Sequence, residues 1–249
     1  MNKYIEVFSF EVPVYSICVY TGIVIINIIA LYYLHKNNLD TVKFFCMEFI
    51  GGISAILGAK ILVEFEKHLY SFFDFNNLKD SEKTGYAYYG GLFALYLSLF
   101  LCDKYLNKNF KIYAEETIFL LPLLHVFWKI GCFCAGCCIG IPYKGMISIV
   151  YPAGVNELSG IDCFPIQIFE ALVAILISFI LFFYKKQNKH KVLPMYLILY
   201  SFTRLFLEFF RYHQTKISFV YSLMLSCLCL VIGVFSYKMC LKKDVKEYE

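Results

Sequence analysis

Residues Pro165 to Tyr184 read PIQIFEALVAILISFILFFY, with Glu170 the lone charged side chain. Crossing a bilayer core takes roughly 20 mostly apolar residues in a helix, and this stretch meets that length. Lipid offers the backbone no hydrogen-bond partners, so the spanning form is helical. Six more blocks resemble it: Val12 to Leu34, Phe44 to Phe65, Ala87 to Cys102, Thr117 to Phe133, Val192 to Phe210 and Ser218 to Cys240. The third and fourth are short or interrupted. The chain is 60% hydrophobic and 17% charged, where a soluble domain carries about 25% charged residues. A soluble helical protein would need polar faces that these blocks lack. The expected fold is therefore all-α: a polytopic integral membrane protein, one transmembrane domain over residues 1–249, with about seven helices.

The first block is expected to be a retained helix. It has only Lys3 against Glu6 and Glu11 before it, and no small-residue cleavage site after it. Orientation follows from lysine placement. With the N-terminus outside, segments 35–43, 103–113, 185–191 and the tail from Tyr237 face inward. They hold Lys36, Lys43, Lys104, Lys108, Lys111, Lys185, Lys186, Lys189, Lys191, Lys238, Lys242, Lys243 and Lys246. The outer segments hold fewer basic residues: Lys3, Lys67, Lys79, Lys83, Lys144, Arg211 and Lys216. This inside excess places the C-terminus in the cytoplasm. The net charge of +4 thus reflects topology, and no clustered basic face points to nucleic acid.

Lys60, Lys129 and Arg204 lie within or at the ends of apolar blocks. A charge near the bilayer centre costs about 2.5–3.5 kcal/mol on insertion scales, so such residues usually pair or face a polar cavity. The bland alternative is a long side chain snorkelling to the interface. Arg204, Glu208 and Arg211 stand at i, i+4 and i+7, which puts them on one helix face. Glu208 neutralises one arginine and leaves the other for an anion, and the planar fork of arginine suits phosphate. A buried salt-bridge ladder is the plain structural reading of the same spacing. Gln167 and Glu170 share a face near the outer end of the fifth block. Gly90 and Gly91 allow close backbone approach, to another helix or to a ligand.

Four of the eleven cysteines cluster at Cys132, Cys134, Cys137 and Cys138, with Cys163 following. Cys134 and Cys137 form a C-x-x-C, but zinc sites usually present two such pairs, and a redox pair has the same spacing. Cys227 and Cys229 read as small apolar packing residues.

In order along the chain, these motifs resemble the prolipoprotein diacylglyceryl transferase family, in a divergent, cysteine-rich form. Tyr15 lies where the family has a first-helix tyrosine. Gly58-Ala59-Lys60 resembles its G-A-R, and Tyr89-Gly90-Gly91 its H-G-G. Lys129-Ile130-Gly131-Cys132-Phe133 through Gly136, Cys137 and Gly140 resembles its signature G-R-x-G-N-F-x-N-G-E-x-x-G. Pro165-x-Gln167-x-x-Glu170 resembles its P-x-Q-x-Y-E, and Arg204-x-x-x-Glu208-x-x-Arg211 its final R-x-x-x-E-x-x-R.

The resemblance implies a bacterial cytoplasmic-membrane enzyme that moves diacylglyceryl from phosphatidylglycerol to the thiol of a lipobox cysteine in a preprotein. It implies no cofactor and no metal. Tyr89, Arg204 and Glu208 would be catalytic. Tyr15, Lys60, Gly90, Gly91, Lys129, Gly131, Cys132, Gly136, Cys137, Gly140, Gln167, Glu170 and Arg211 would bind substrate. Tyr89 replaces the family's histidine; with an ordinary pKa of about 10 it suits hydrogen-bond donation to phosphate better than proton removal. Lys129 keeps the charge of the signature arginine without its fork. His125, one turn before Lys129, is either a replacement base or an interfacial helix residue. Residues 141–163 leave little room for the head domain of many family members. Two alternatives remain: a relative with a changed acceptor or no activity, and a membrane thiol-redox or metal protein built on the cysteine cluster.

Overall fold

The computed structural model describes residues 4–7, 10–73, 88–106, 110–213 and 216–247. Lys3, Lys79, Lys83, Ala87 and Lys108 of the sequence reading lie outside them. The elements run β1 (Tyr4–Val7), β2 (Phe10–Pro13), α1 (Val14–Lys36), α2 (Thr41–Phe73), α3 (Tyr88–Leu106), α4 (Phe110–Thr117), α5 (Leu121–Ala135), β3 (Ile149–Val150), β4 (Asp162–Cys163), α6 (Ile166–Lys185), α7 (Val192–Leu207) and α8 (Lys216–Glu247). Six helical stretches are long and apolar enough to cross a membrane: residues 14–36, 41–65, 111–135, 166–185, 189–210 and 219–241. Helix α3 is 19 residues long and is not among the six.

Helix α6 shows why the chain suits lipid. Gln167, Glu170, Ala171, Ala174, Ile177, Ser178 and Leu181 are buried, while Leu172, Ile175, Leu176, Phe179 and Phe183 are exposed. Its outward stripe is apolar and its inward face holds the polar side chains, the reverse of a helix facing water. Such a stripe is stable against acyl chains.

The chain divides into two compact units. One comprises residues 34–114. There α2 packs on α3, and a side chain at Gly90 would run into the backbone carbonyl of Gly58. Of the two roles open to these glycines, the close contact visible here is helix on helix.

The other unit comprises residues 1–33 and 115–249. It opens with the antiparallel ribbon β1–β2, which the apolar pattern did not reveal. Helix α1 starts at Val14, just after Pro13. Helices α5, α6, α7 and α8 pack in sequence order. The fourth apolar block is longer than its apolar pattern, because α4 and α5 join through a 3-10 turn at Ile118–Leu120. Pro122 lies in the first turn of α5 and supplies no N–H to the preceding turn. Ser178 of α6 donates to the carbonyl of Phe119 in that turn at 2.7 Å, so a broken helix stays satisfied within the membrane span.

Residues 136–163 fold back as a small cap. Strands β3 and β4 pair antiparallel, and Ile139, Tyr151, Leu158 and Cys163 form its buried core with Tyr212 against it.

Candidate active site

Glu170 is the hub. It lies one turn into α6, and its side chain is 3% exposed. Lys129 of α5 reaches its Oε2 at 2.6 Å. Arg204 of α7 donates to its Oε1 through Nη1. The second guanidinium nitrogen of Arg204 meets Glu208 Oε2 at 2.7 Å, and His213 Nε2 lies 2.9 Å from the other oxygen of Glu208. Arg211 Nη1 stands 4.0 Å from Glu170 Oε1. Lys129, Arg204 and Arg211 therefore face Glu170 and Glu208, a net positive charge before His213 is considered. Buried ion pairs cost desolvation that their attraction repays only with good geometry. The excess of cations over these two carboxylates has the sign to hold an anion.

The third cation arrives by a route the helix pattern did not show. Arg211 was expected on the helical face of Arg204 and Glu208. Instead α7 ends at Leu207, a 3-10 turn covers Glu208–Phe210, and Arg211 is extended at φ −94° and ψ 138°. Its backbone pairs with Gly140, flanked by Ile141 N–H to Phe210 O and Tyr212 N–H to Ile139 O, both 3.0 Å. Pairing with the cap requires extended backbone, and this overrides continuation of the helix. A side chain on Gly140 would strike the carbonyl of Phe164, so glycine is needed for the close approach.

The glycine-rich segment is held from both sides. Gly136, at φ +69°, ends α5 in the left-handed conformation that glycine adopts without strain. Asn156 Nδ2 donates to its carbonyl at 3.0 Å. Gln167 Nε2 donates to the carbonyl of Cys137 at 2.8 Å, and the buried Tyr151 hydroxyl donates to Gln167 Oε1 at 3.0 Å. Burial pushes the Tyr151 phenol up to about 12, so it remains a donor and fixes which way the amide points. Gln167 thus positions the loop above Glu170. Tyr15 of α1 packs on Gly131, where an added Cβ would lie 3.0 Å from its ring.

Beside the charges lies a small, partly open cavity of about 20 Å³. Glu170 and Arg204 stand at its polar part, while Pro122, Val173, Ala174, Ile177 and Leu207 give it apolar walls. Its lining runs along α6 from Glu170 to Ile177, about two helical turns, roughly 10 Å. His125 also lines this cavity. It is buried, with ring edges on Trp128 and Tyr200, so it belongs to the bundle interior and not to an interface with water.

The cysteine at the glutamate position of the signature has neighbours of its own kind. Cys132, Cys137 and Cys138 bring their sulfurs within 4.8 Å of one another. Arg211 Nη2 donates to Cys138 Sγ at 3.2 Å. Hydrogen bonds from Cys132 and Cys137, together with the charges of Arg211 and Lys129, hold the Cys138 thiol well below its ordinary range.

Thus Lys129, Gly131, Cys132, Gly136, Cys137, Gly140, Gln167, Glu170, Arg204, Glu208 and Arg211 gather in one unit, and Tyr15 packs there. Lys60, Tyr89, Gly90 and Gly91 belong to the 34–114 unit, where Lys60 is exposed and Tyr89 buried. Sequence reasoning missed His213 and Tyr151. Neither carries a local signal: each acts on a partner brought to it by the tertiary fold.

The family model described as prolipoprotein diacylglyceryl transferase matches residues 2–239. Phosphatidylglycerol–prolipoprotein diacylglyceryl transferase 2 of Clostridium perfringens (strain 13 / Type A) is 30% identical over 215 residues, covering 83% of this chain and 81% of that protein. The transferase of Clostridium tetani (strain Massachusetts / E88) is 27% identical over 242 residues, 93% of this chain and 94% of that one. Transferase 1 of the same C. perfringens strain is 26% identical over 255 residues, 96% and 94% of the two chains. With a family match over residues 2–239 and a relative 30% identical across 83% of its length, the chain belongs to the prolipoprotein diacylglyceryl transferase family.

Proposed function

We propose that the chain transfers the diacylglyceryl group of phosphatidylglycerol to the cysteine thiol of a prolipoprotein. The observation that carries this reading is the excess of cations over carboxylates around Glu170, with a small, largely apolar cavity reaching Glu170 and Arg204. A phosphodiester bearing acyl chains matches both halves of that description: one anionic group for the cations and hydrocarbon for the apolar lining.

The reaction breaks the bond between the glyceryl carbon and the phosphate oxygen and forms a carbon–sulfur bond. The acceptor thiol gives up its proton, and glycerol phosphate leaves. Charge builds on the departing phosphate, and preorganised donors aimed at that charge lower the barrier. Arg204 is the principal donor, held at its other face by Glu170 and Glu208 so that its fork cannot swing away. Lys129 and Arg211 add charge from α5 and the cap. The Gly136–Gly140 segment walls the headgroup. Tyr15 completes the substrate contacts within this unit, and Lys60, Gly90 and Gly91 would bind substrate by their motif positions. Tyr89 takes the histidine position as a hydrogen-bond donor.

The enzyme works as a single transmembrane domain of seven helices with α3 as the seventh, in the bacterial cytoplasmic membrane. The N-terminus and the Glu170 cluster face outward, where a secreted acceptor with a lipobox is met. Lys185, Lys186, Lys189 and Lys191 at the far end of α6 and the following turn support that orientation.

The test uses the protein in phosphatidylglycerol vesicles with a lipobox peptide. Mass spectrometry should find a peptide heavier by one diacylglyceryl group, absent with Arg204→Ala. An unmodified peptide beside folded wild-type protein, across several lipobox sequences, would overturn the reading in favour of a changed acceptor.

A further inference from the structure

The phosphate chemistry above gives three sulfurs beside the cations no part in bond making or breaking. Cys132 ends the buried face of α5. Gly136 then reverses the chain, and Cys138 takes φ +54°, a left-handed conformation that non-glycine residues rarely adopt. The turn brings Cys137 and Cys138 back toward Cys132. The three Sγ atoms lie within 4.8 Å of one another, and all three thiols are free. Sulfurs bound at about 2.3 Å to one tetrahedral ion stand ~3.8 Å apart. Closing the present triangle onto an ion therefore takes side-chain adjustment and no refolding.

Supporting groups surround the triangle in the way metal thiolates require. Gln167 Nε2 holds the Cys137 carbonyl at 2.8 Å. Arg211 Nη2 donates to Cys138 Sγ at 3.2 Å, and its backbone is fixed against Gly140. Three thiolates around a singly or doubly charged ion carry net negative charge, and Arg211, already in contact with Cys138, is the cation nearest to offset it. Hard ions such as Mg²⁺ and Ca²⁺ prefer oxygen ligands; thiolates select Cu(I) and Zn(II).

We propose that Cys132, Cys137 and Cys138 form a three-thiolate binding site for a soft metal ion of the Cu(I) or Zn(II) class. Binding releases the remaining thiol protons to water and forms three metal–sulfur bonds, with no change of oxidation state. Zn(II) keeps a fourth position open to water, whereas Cu(I) is satisfied by the three sulfurs. The site goes beyond the transferase reading and is measured without it, so failure of one leaves the other standing.

The experiment takes the full chain in detergent, reduced and free of oxygen, and titrates it with Cd(II) as a probe. Thiolate-to-metal charge-transfer absorption should saturate at one equivalent. Cys137→Ser, at an exposed position, and Cys138→Ser should each weaken binding at least a hundredfold, while Cys134→Ser and Cys240→Ser leave it unchanged. A competition series should then rank Cu(I) and Zn(II) above Mg²⁺. Binding that survives Cys137→Ser in a protein of wild-type thermal midpoint would overturn the proposal. So would a wild-type protein that shows no charge-transfer band.

Discussion

The two ends of α6 both bury carboxylates among cations, yet they do different things. At the far end Glu116 pairs with Lys185 and Lys189, and Glu115 with His190 at 2.9 Å. Lys185 also donates to the Glu116 carbonyl at 2.7 Å and lies 5.1 Å from the rings of Tyr33 and Phe119. Two of these partners reach in from the surface: the Lys189 and His190 side chains are 42% and 70% exposed. At the near end Lys129 and Arg204 are 8% and 10% exposed, and a small cavity opens beside them. From Glu170 to Lys185 the helix runs about 22 Å, so the two clusters lie toward opposite faces of the bilayer core. The far cluster ties helix ends together with ordinary lysines. The near one holds forked arginines that, with Lys129, outnumber its two carboxylates. Burial alone does not mark a site; an unbalanced charge beside an opening does.

The sharpest break of that comparison comes from charge-conserving change. Arg204→Lys keeps the positive charge but loses the fork joining Glu170 to Glu208. Transferase activity should fall about 10²–10³-fold, the usual loss for a donor to developing charge, with a thermal midpoint near wild type. Glu116→Gln at the far end should do the opposite. It removes one partner of a buried pair and should cost about 3 kcal/mol of stability, read by thermal unfolding, while turnover per folded molecule holds. Equal losses of turnover in the two variants would erase the distinction between staple and site.

Smaller changes sharpen it further. Tyr151→Phe removes one hydrogen bond from Gln167 and should lower stability by about 1 kcal/mol, with a rise in KM for phosphatidylglycerol as the Gly136–Gly140 wall loosens. Lys189→Ala breaks an exposed pair and should change stability by less than ~1 kcal/mol; thermal scans of the two variants side by side check the order.

Much of this was legible from residues 165–184 and their fellow blocks, because lipid leaves the backbone few choices. Glu170, Arg204 and Lys129 were visible for the same reason: a charge inside an apolar block must be answered by another. Arg211 was found but misplaced, since its extended backbone depends on Gly140, 71 positions earlier in the chain. His213 and Tyr151 act through partners that only the folded cap brings near. The three-sulfur triangle hinges on the positive φ of Cys138, which its residue type argues against. At the far end, the fourth block was read from Thr117, so Glu115 and Glu116 fell outside it; α4 extends the helical stretch back across them.

The central claim is that cations at the near end of α6 draw away the phosphate while the diacylglyceryl carbon moves to sulfur. Isotope tracing tests it most directly. Phosphatidylglycerol is prepared with heavy carbon in either the diacylglyceryl backbone or the headgroup glycerol and supplied to the reconstituted protein with a lipobox peptide. The account predicts backbone label on the peptide and headgroup label in released glycerol phosphate. Headgroup label on the peptide, or no label on it from either lipid, would contradict the account.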